Sequence, residues 1–179
     1  MRFLIRVTNR FWRQQTGVTA IEYGILGPIF FSLILTGAEV GWVMIREASL
    51  EHAVRVASRE VYLGKAKAGN MTQADLEKIM CEQMTMMTNC EQNLAVEMQV
   101  VSSFSAIPAN SIQCREADVP LDTEIVYQNG DESEIVMMRV CASIPTLTDV
   151  GPFALGLPKT AQGNYQIVST DVFMVRKFK

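Results

Sequence analysis

The sequence predicts an α+β chain, in which a long N-terminal apolar helix packs on a small, mainly antiparallel β head. Three observations lead there. The 22 residues from Gly24 to Ile45 carry one charged side chain, Glu39. Beyond them, apolar residues recur at helical spacing as far as Val61, and Gly64 follows. From Leu94 the apolar period changes from helical to two, and two further Val-, Ile- and Met-rich stretches come later. A helix followed by strands that need not alternate with helices is the α+β pattern.

The first element is set by charge. Arg2, Arg6, Arg10 and Arg13 precede it, and no acidic residue occurs before Glu22. Tyr23 to Ala38 is uncharged. A helix rises ~1.5 Å per residue and needs about 20 mostly apolar residues to cross a bilayer's hydrocarbon core, so 24–45 reads as a membrane span. Basic residues on its N-terminal side predict a cytoplasmic N-terminus and a head on the far side. A secretory signal peptide would have a core of only about 7–15 apolar residues and a small-x-small cleavage site. This run is longer, and Thr36-Gly37-Ala38 is a poor site inside a continuing helix. Phe3, Phe11 and Trp12 among the arginines suggest a short amphipathic segment on the inner leaflet, against the plainer reading of a basic, accessible leader.

After Ile45, Leu50, Val54, Ala57 and Val61 fall at i, i+4, i+7 and i+11, one face of a helix. Glu51 and Arg55 stand at i,i+4 on the charged side. The helix therefore runs over 18–63, its second half packing on the head, with Pro28 as an internal kink point and Gly64 as its stop. The head occupies 64–179. Met71 to Cys81 reads as a second helix, with Thr72 as N-cap and Asp75 at capping-box distance. Leu94, Val96, Met98 and Val100 alternate with their neighbours as a half-buried strand. Glu124–Gln128 with Asn129-Gly130 gives a turn signal, and Glu134–Ala142 and Gln166–Arg176 give two more strands. Ile144–Asn164, with Pro145, Pro152 and Pro158, reads as a long loop.

Composition narrows function. The chain has 16 basic and 19 acidic residues. Without Met1–Gly17, which holds four arginines and no acid, 12 basic face 19 acidic residues, a formal charge of −7. An acidic exported part argues against nucleic acid, which selects a basic face. His52 is the single histidine, placed on the helix surface beside Glu51, and no G-x-S-x-G or Walker-type loop accompanies it, so nothing points to an enzyme. No D-x-S-x-S metal-dependent adhesion pattern occurs, and no cofactor is implied. The methionines, among them Met84, Met86, Met87, Met137 and Met138, read as core filler. Cys81, Cys90, Cys114 and Cys141 all lie beyond the span, where an even count suggests disulfides. Four cysteines allow three connectivities; the short loop between Cys81 and Cys90 favours that pair, leaving Cys114 with Cys141. A zinc site wants C-x2-4-C pairs, and neither spacing occurs.

The residue that needs most explanation is Glu22, a carboxylate where the span opens. Burying an ion in a bilayer costs roughly 2.5–3.5 kcal/mol on insertion scales, so one found there usually has a partner. Gly17 stands five residues earlier, after a wholly basic and polar leader. Gly17, four residues, then Glu22-Tyr23 resembles the processing site of type IV pilin precursors, and most closely the pilins of the tight-adherence (Tad) pilus. With Pro28, Glu39 and Leu50-Glu-His-Ala-Val-Arg-Val-Ala-Ser-Arg59 following, the chain looks like a TadE-like minor pilin.

That resemblance implies a prepilin-type leader at 1–17, cut after Gly17 by a membrane prepilin peptidase to leave Val18 as the N-terminus. It implies that Gly17, Val18, Glu22 and Tyr23 form the processing signal, and that Val18 and Glu22 act in assembly, the carboxylate pairing with a neighbour's α-ammonium. The implied partners are the peptidase, the major and other minor pilins, the inner-membrane assembly platform and the membrane itself. The implied site is the inner membrane, head periplasmic, with passage to a pilus or the cell surface on assembly, where TadE-like subunits prime or cap the fibre. A type II secretion pseudopilin shares the leader logic, but normally has Phe or another apolar residue after the cut and lacks the Glu-Tyr pair. An unprocessed, single-pass periplasmic binding domain is the rival from another class.

Overall fold

The structure is a computed structural model that describes residues 16–84, 86–108, 112–116, 125–147 and 157–176. The basic segment with Phe3, Phe11 and Trp12, the position of Glu124 and the middle of the Pro-rich loop, 148–156, lie outside the described residues. Two compact units are distinguished. One contains the helix up to Val40; the other contains Gly41 to Leu147 and the chain from 157 on.

Helix α1 runs from Thr16 to Tyr62 without interruption, with Pro28 inside it. Hydroxyls within its apolar half are satisfied locally, Ser32 Oγ donating to Ile29 O at 2.7 Å and Thr36 Oγ1 to Ser32 O at 2.9 Å. This is how polar side chains are tolerated in an apolar helix. Gly64 ends α1 in the left-handed region at φ 71°, where a Cβ would be strained. A short helix, α2 (Lys65–Ala68), follows.

In the second unit the apolar stripe is buried: Leu50, Ala53, Val54, Ala57 and Val61 are all enclosed, while Glu51 and Arg55 pair at 3.7 Å in the open. So exposed an i,i+4 pair contributes little, and the stripe does the packing. Helix α3 (Gln73–Gln83) starts two residues later than the pattern suggested, because Thr72 stays outside it as a true N-cap. Its hydroxyl accepts from Asp75 N–H at 3.3 Å, while Thr72 N–H donates to Asp75 Oδ2 at 2.9 Å, the reciprocal capping box. A one-turn helix, α4 (Cys90–Asn93), leads into the sheet.

The sheet has three antiparallel strands in sequence order: β1 (Leu94–Val101), β2 (Ile135–Ile144) and β3 (Tyr165–Met174). The register sets Leu94 opposite Ala142, Val96 opposite Val140 and Met98 opposite Met138, then Ile167 opposite Ala142 and Tyr165 opposite Ile144. These nine residues and their same-face neighbour Val136 are all buried, giving one continuous apolar face. The opposite face of β2 is buried too, through Met137, Arg139, Cys141 and Ser143. Strand β2 is thus covered on both sides, whereas period-two reading expects one wet face.

The second cover is the chain after β1. Pro108 O accepts from Arg139 Nη2 at 2.9 Å, and Cys114 meets Cys141. Arg115 reaches Glu77 on α3 at 2.9 Å. The 125–130 region is more than a turn: Met98 N–H donates to Val126 O and Gln128 N–H to Met98 O, a parallel bridge at Tyr127 beside β1. Gly130 closes this segment onto β2, since a Cβ there would stand 2.3 Å from Val136 Cγ2. The Pro-rich loop ends in a small hairpin, Gln166 N–H donating to Pro158 O. Arg176 N–H, at the other end of β3, donates to Tyr62 O and so ties the sheet to the end of α1. Both donors point away from β2, because Val175 N–H donates toward it, to Glu134 O, and successive residues alternate.

Candidate processing and assembly segment

Gly17, Val18, Glu22 and Tyr23 all fall in the first turns of α1. At 100° and 1.5 Å per residue, Val18 and Glu22 share one face a turn apart, and Gly17 lies about 7.5 Å below Glu22. Gly17, Glu22 and Tyr23 are exposed, Tyr23 by 75%. An ideal Cβ on Gly17 would meet nothing within 4 Å. No packing within the described chain therefore demands a glycine there.

Beyond Glu22 the helix surface is apolar on every side. Ile21, Ile25, Leu26, Ile29, Phe30, Phe31, Leu33 and Ile34 are all at least half exposed, and they circle the helix rather than forming a stripe. A soluble protein buries such a surface; a helix apolar all round belongs in lipid or among other helices. This is the one described helix long and apolar enough to cross a membrane.

Two charges of α1 are buried, Glu39, which the sequence marks as the one charge of the apolar run, and Arg46, which it does not single out. Glu39 is 1% exposed and Arg46 is 6% exposed. The stripe Leu50, Val54, Ala57, Val61, stepped back by four and seven residues, lands on Arg46 and Val43. Extending the period past the first charge would have found Arg46.

The cysteines of the head form two pairs, Cys81 with Cys90 and Cys114 with Cys141, Cα atoms 5.7 Å and 5.1 Å apart. Both separations are within reach of a disulfide. His52 is exposed on α1. Among the described residues no group of three His, Cys, Asp or Glu side chains could hold a metal. A cleft of about 420 Å³ lies between Leu63–Ala68 and Gly130, Glu132 and Val175, but its lysines are engaged, Lys65 with Glu60 and Lys67 with Asp131. Met80, Met84, Met87, Met98, Met137 and Met138 fill the core, whereas Met86 is half exposed.

A single long apolar helix running into a small α+β head defines a class of chains suited to anchoring by one N-terminal span. Residues 17–59 match the family model described as TadE-like protein, consistent with a TadE-like pilin of the Tad system. The match starts at Gly17, ends at Arg59 and leaves the head outside it. No curated protein and no solved structure matches the chain.

Proposed function

We propose that the chain is a minor pilin of a Tad-type pilus, processed after Gly17 and assembled through Glu22, with its head outside the cytoplasm. The supporting observation is one of overlap: the TadE-like match, from residue 17, takes in the whole stretch of α1 whose apolar surface is exposed all round. Outside a membrane or a helical bundle that surface would be a liability, so the helix has to move between lipid and a fibre of like helices. Glu22 then supplies a negative charge that a neighbour's free α-amino group at Val18 neutralises, two ions offsetting each other's desolvation. In this reading the head is structural, held by two cysteine pairs and a covered sheet.

N-terminal sequencing of the protein from its native host tests processing. A mature chain beginning at Val18 is expected, and Gly17→Arg is expected to block the cut by filling space meant for a small side chain. An intact Met1 terminus on the membrane-resident protein would replace this reading with the unprocessed, single-pass anchored domain.

A further inference from the structure

Arg46 is on the buried side of α1, three residues after Val43 and four before Leu50, both enclosed. Its Nε is enclosed without a hydrogen-bond partner, and no described residue gives the guanidinium a hydrogen bond or an ion pair. Its contact is with Trp42, one turn earlier, whose ring centroid is 4.4 Å from Cζ. The acids that follow it on α1 do not answer it: Glu51 faces Arg55, and Glu47 is exposed; Glu39, two turns earlier on the same face, has interactions of its own. A cation–π contact orients a guanidinium but leaves its N–H donors unmet. An enclosed cation without an anion is costly, so this site is built to receive one.

Position selects the anion. Arg46 is the first residue after the 22-residue run that ends at Ile45, the level at which lipid headgroups begin. Trp42 is the ring type favoured at that boundary. A guanidinium fixed flat by a ring presents its donors as a fork matched to phosphate oxygens. We propose that Arg46, held against Trp42, binds the phosphate of a phospholipid headgroup at the foot of the head. The inference rests on the membrane-anchored part of the reading above and is independent of processing and of Glu22.

The test uses the full chain carrying Trp12→Phe, which leaves Trp42 as its one tryptophan. Purified in an uncharged maltoside detergent, it is titrated with short-chain phosphatidylglycerol, with the matching uncharged galactolipid and with inorganic phosphate. Trp42 fluorescence and lipid retained in native mass spectrometry are read together. Saturable binding of one phosphatidylglycerol is expected, at least tenfold tighter than of galactolipid or inorganic phosphate. Arg46→Gln should weaken it tenfold or more, and Arg46→Lys should fall between, keeping the charge but losing the planar fork. Equal binding by Arg46→Gln overturns the site; equal binding of inorganic phosphate overturns the lipid assignment. Crosslinking from position 46 to a carboxylate of another protein chain, without retained lipid, also overturns it. Should Arg46→Gln fail to fold, the parent chain decides, since no saturable phosphatidylglycerol binding there refutes the site. Membrane anchoring is read separately by detergent phase partition, so a chain that partitions but binds no lipid loses the site alone.

Discussion

In the proposed reading, Glu22 is the residue on which assembly turns. Glu22→Ala should insert as well as the parent or better, because it removes a charge from an apolar segment. It should also be processed, since the main demand of the cut is at Gly17. What it loses is the counter-charge for a buried α-ammonium. Leaving one ion of such a pair unmatched typically costs about 3–5 kcal/mol, which corresponds to two to three orders of magnitude in assembly. Pilus number per cell, counted beside the amount of processed protein in the membrane, reads this directly. Normal processing with parental pilus number would reduce Glu22 to an interfacial acid.

A second residue gives a pH signature. The Tyr127 hydroxyl donates to Met71 O at 3.3 Å, and burial, aided by the charges of Asp75 and Glu77, pushes its pKa up from 10.0 to about 12. The folded head therefore holds this proton more tightly than the unfolded chain does. That stabilisation is complete below pH 10 and is lost as pH rises from there through about 12. Tyr127→Phe should lose much of the alkaline destabilisation in that window, as followed by denaturant titrations from pH 9 to 12. At the acid end the sign reverses. Hydrogen bonds from Thr72 hold the Asp75 carboxyl below its usual range, so the cap's stabilisation is complete above that range and is lost as pH falls from it through the lowered pKa of the folded state. Of these residues the capping pair was legible, because its spacing is local. Tyr127 was not, since its partner Met71 stands 56 residues away.

At the level of elements, the two cysteine pairs are unequal. Cys81–Cys90 closes a separation of 9 residues within neighbouring turns, and Cys114–Cys141 one of 27 that fastens a segment without regular structure to the central strand. Chain entropy favours the longer closure by roughly 1 kcal/mol, about 3.6 against 2.6 kcal/mol. Replacing Cys114 and Cys141 together by serine should therefore lower stability more than replacing Cys81 and Cys90, as measured by urea midpoints. Denatured, unreduced protein should show no free thiol on labelling; four would mean the head folds where cysteines stay reduced. Strands and helices with a clean period were readable from sequence, β1 to the residue. The cover on the second face of β2 was not. It consists of the described stretches 102–108 and 112–116, acting through a proline carbonyl, a cysteine and Arg115, contacts that leave no periodic trace.

For the whole molecule, the α+β class followed from one change of period, helical up to Val61 and two from Leu94, and the structure has that order. The head's layering depended instead on pairings far apart in sequence, such as Met98 with Tyr127. Strand β3 shows what such pairings leave unfinished. Its outward groups are taken at Gln166 and Arg176, but between them Val168, Thr170, Val172 and Met174 have no backbone partner on that side among the described residues. Those four side chains are uncharged, with Val168 and Met174 about half exposed; Asp171 on the strand's other face is the one charge between 168 and 174, and no proline or lysine blunts the edge. In the laboratory this becomes a question of solubility. Head protein prepared apart from other subunits should self-associate with rising concentration in sedimentation velocity, and Thr170→Lys should keep it monomeric without lowering its melting temperature. A parent head that stays monomeric at high concentration would mean that twist alone protects the edge. Stocks, storage and crystallisation of this protein will accordingly depend on one seven-residue stretch that contributes little to its fold's interior.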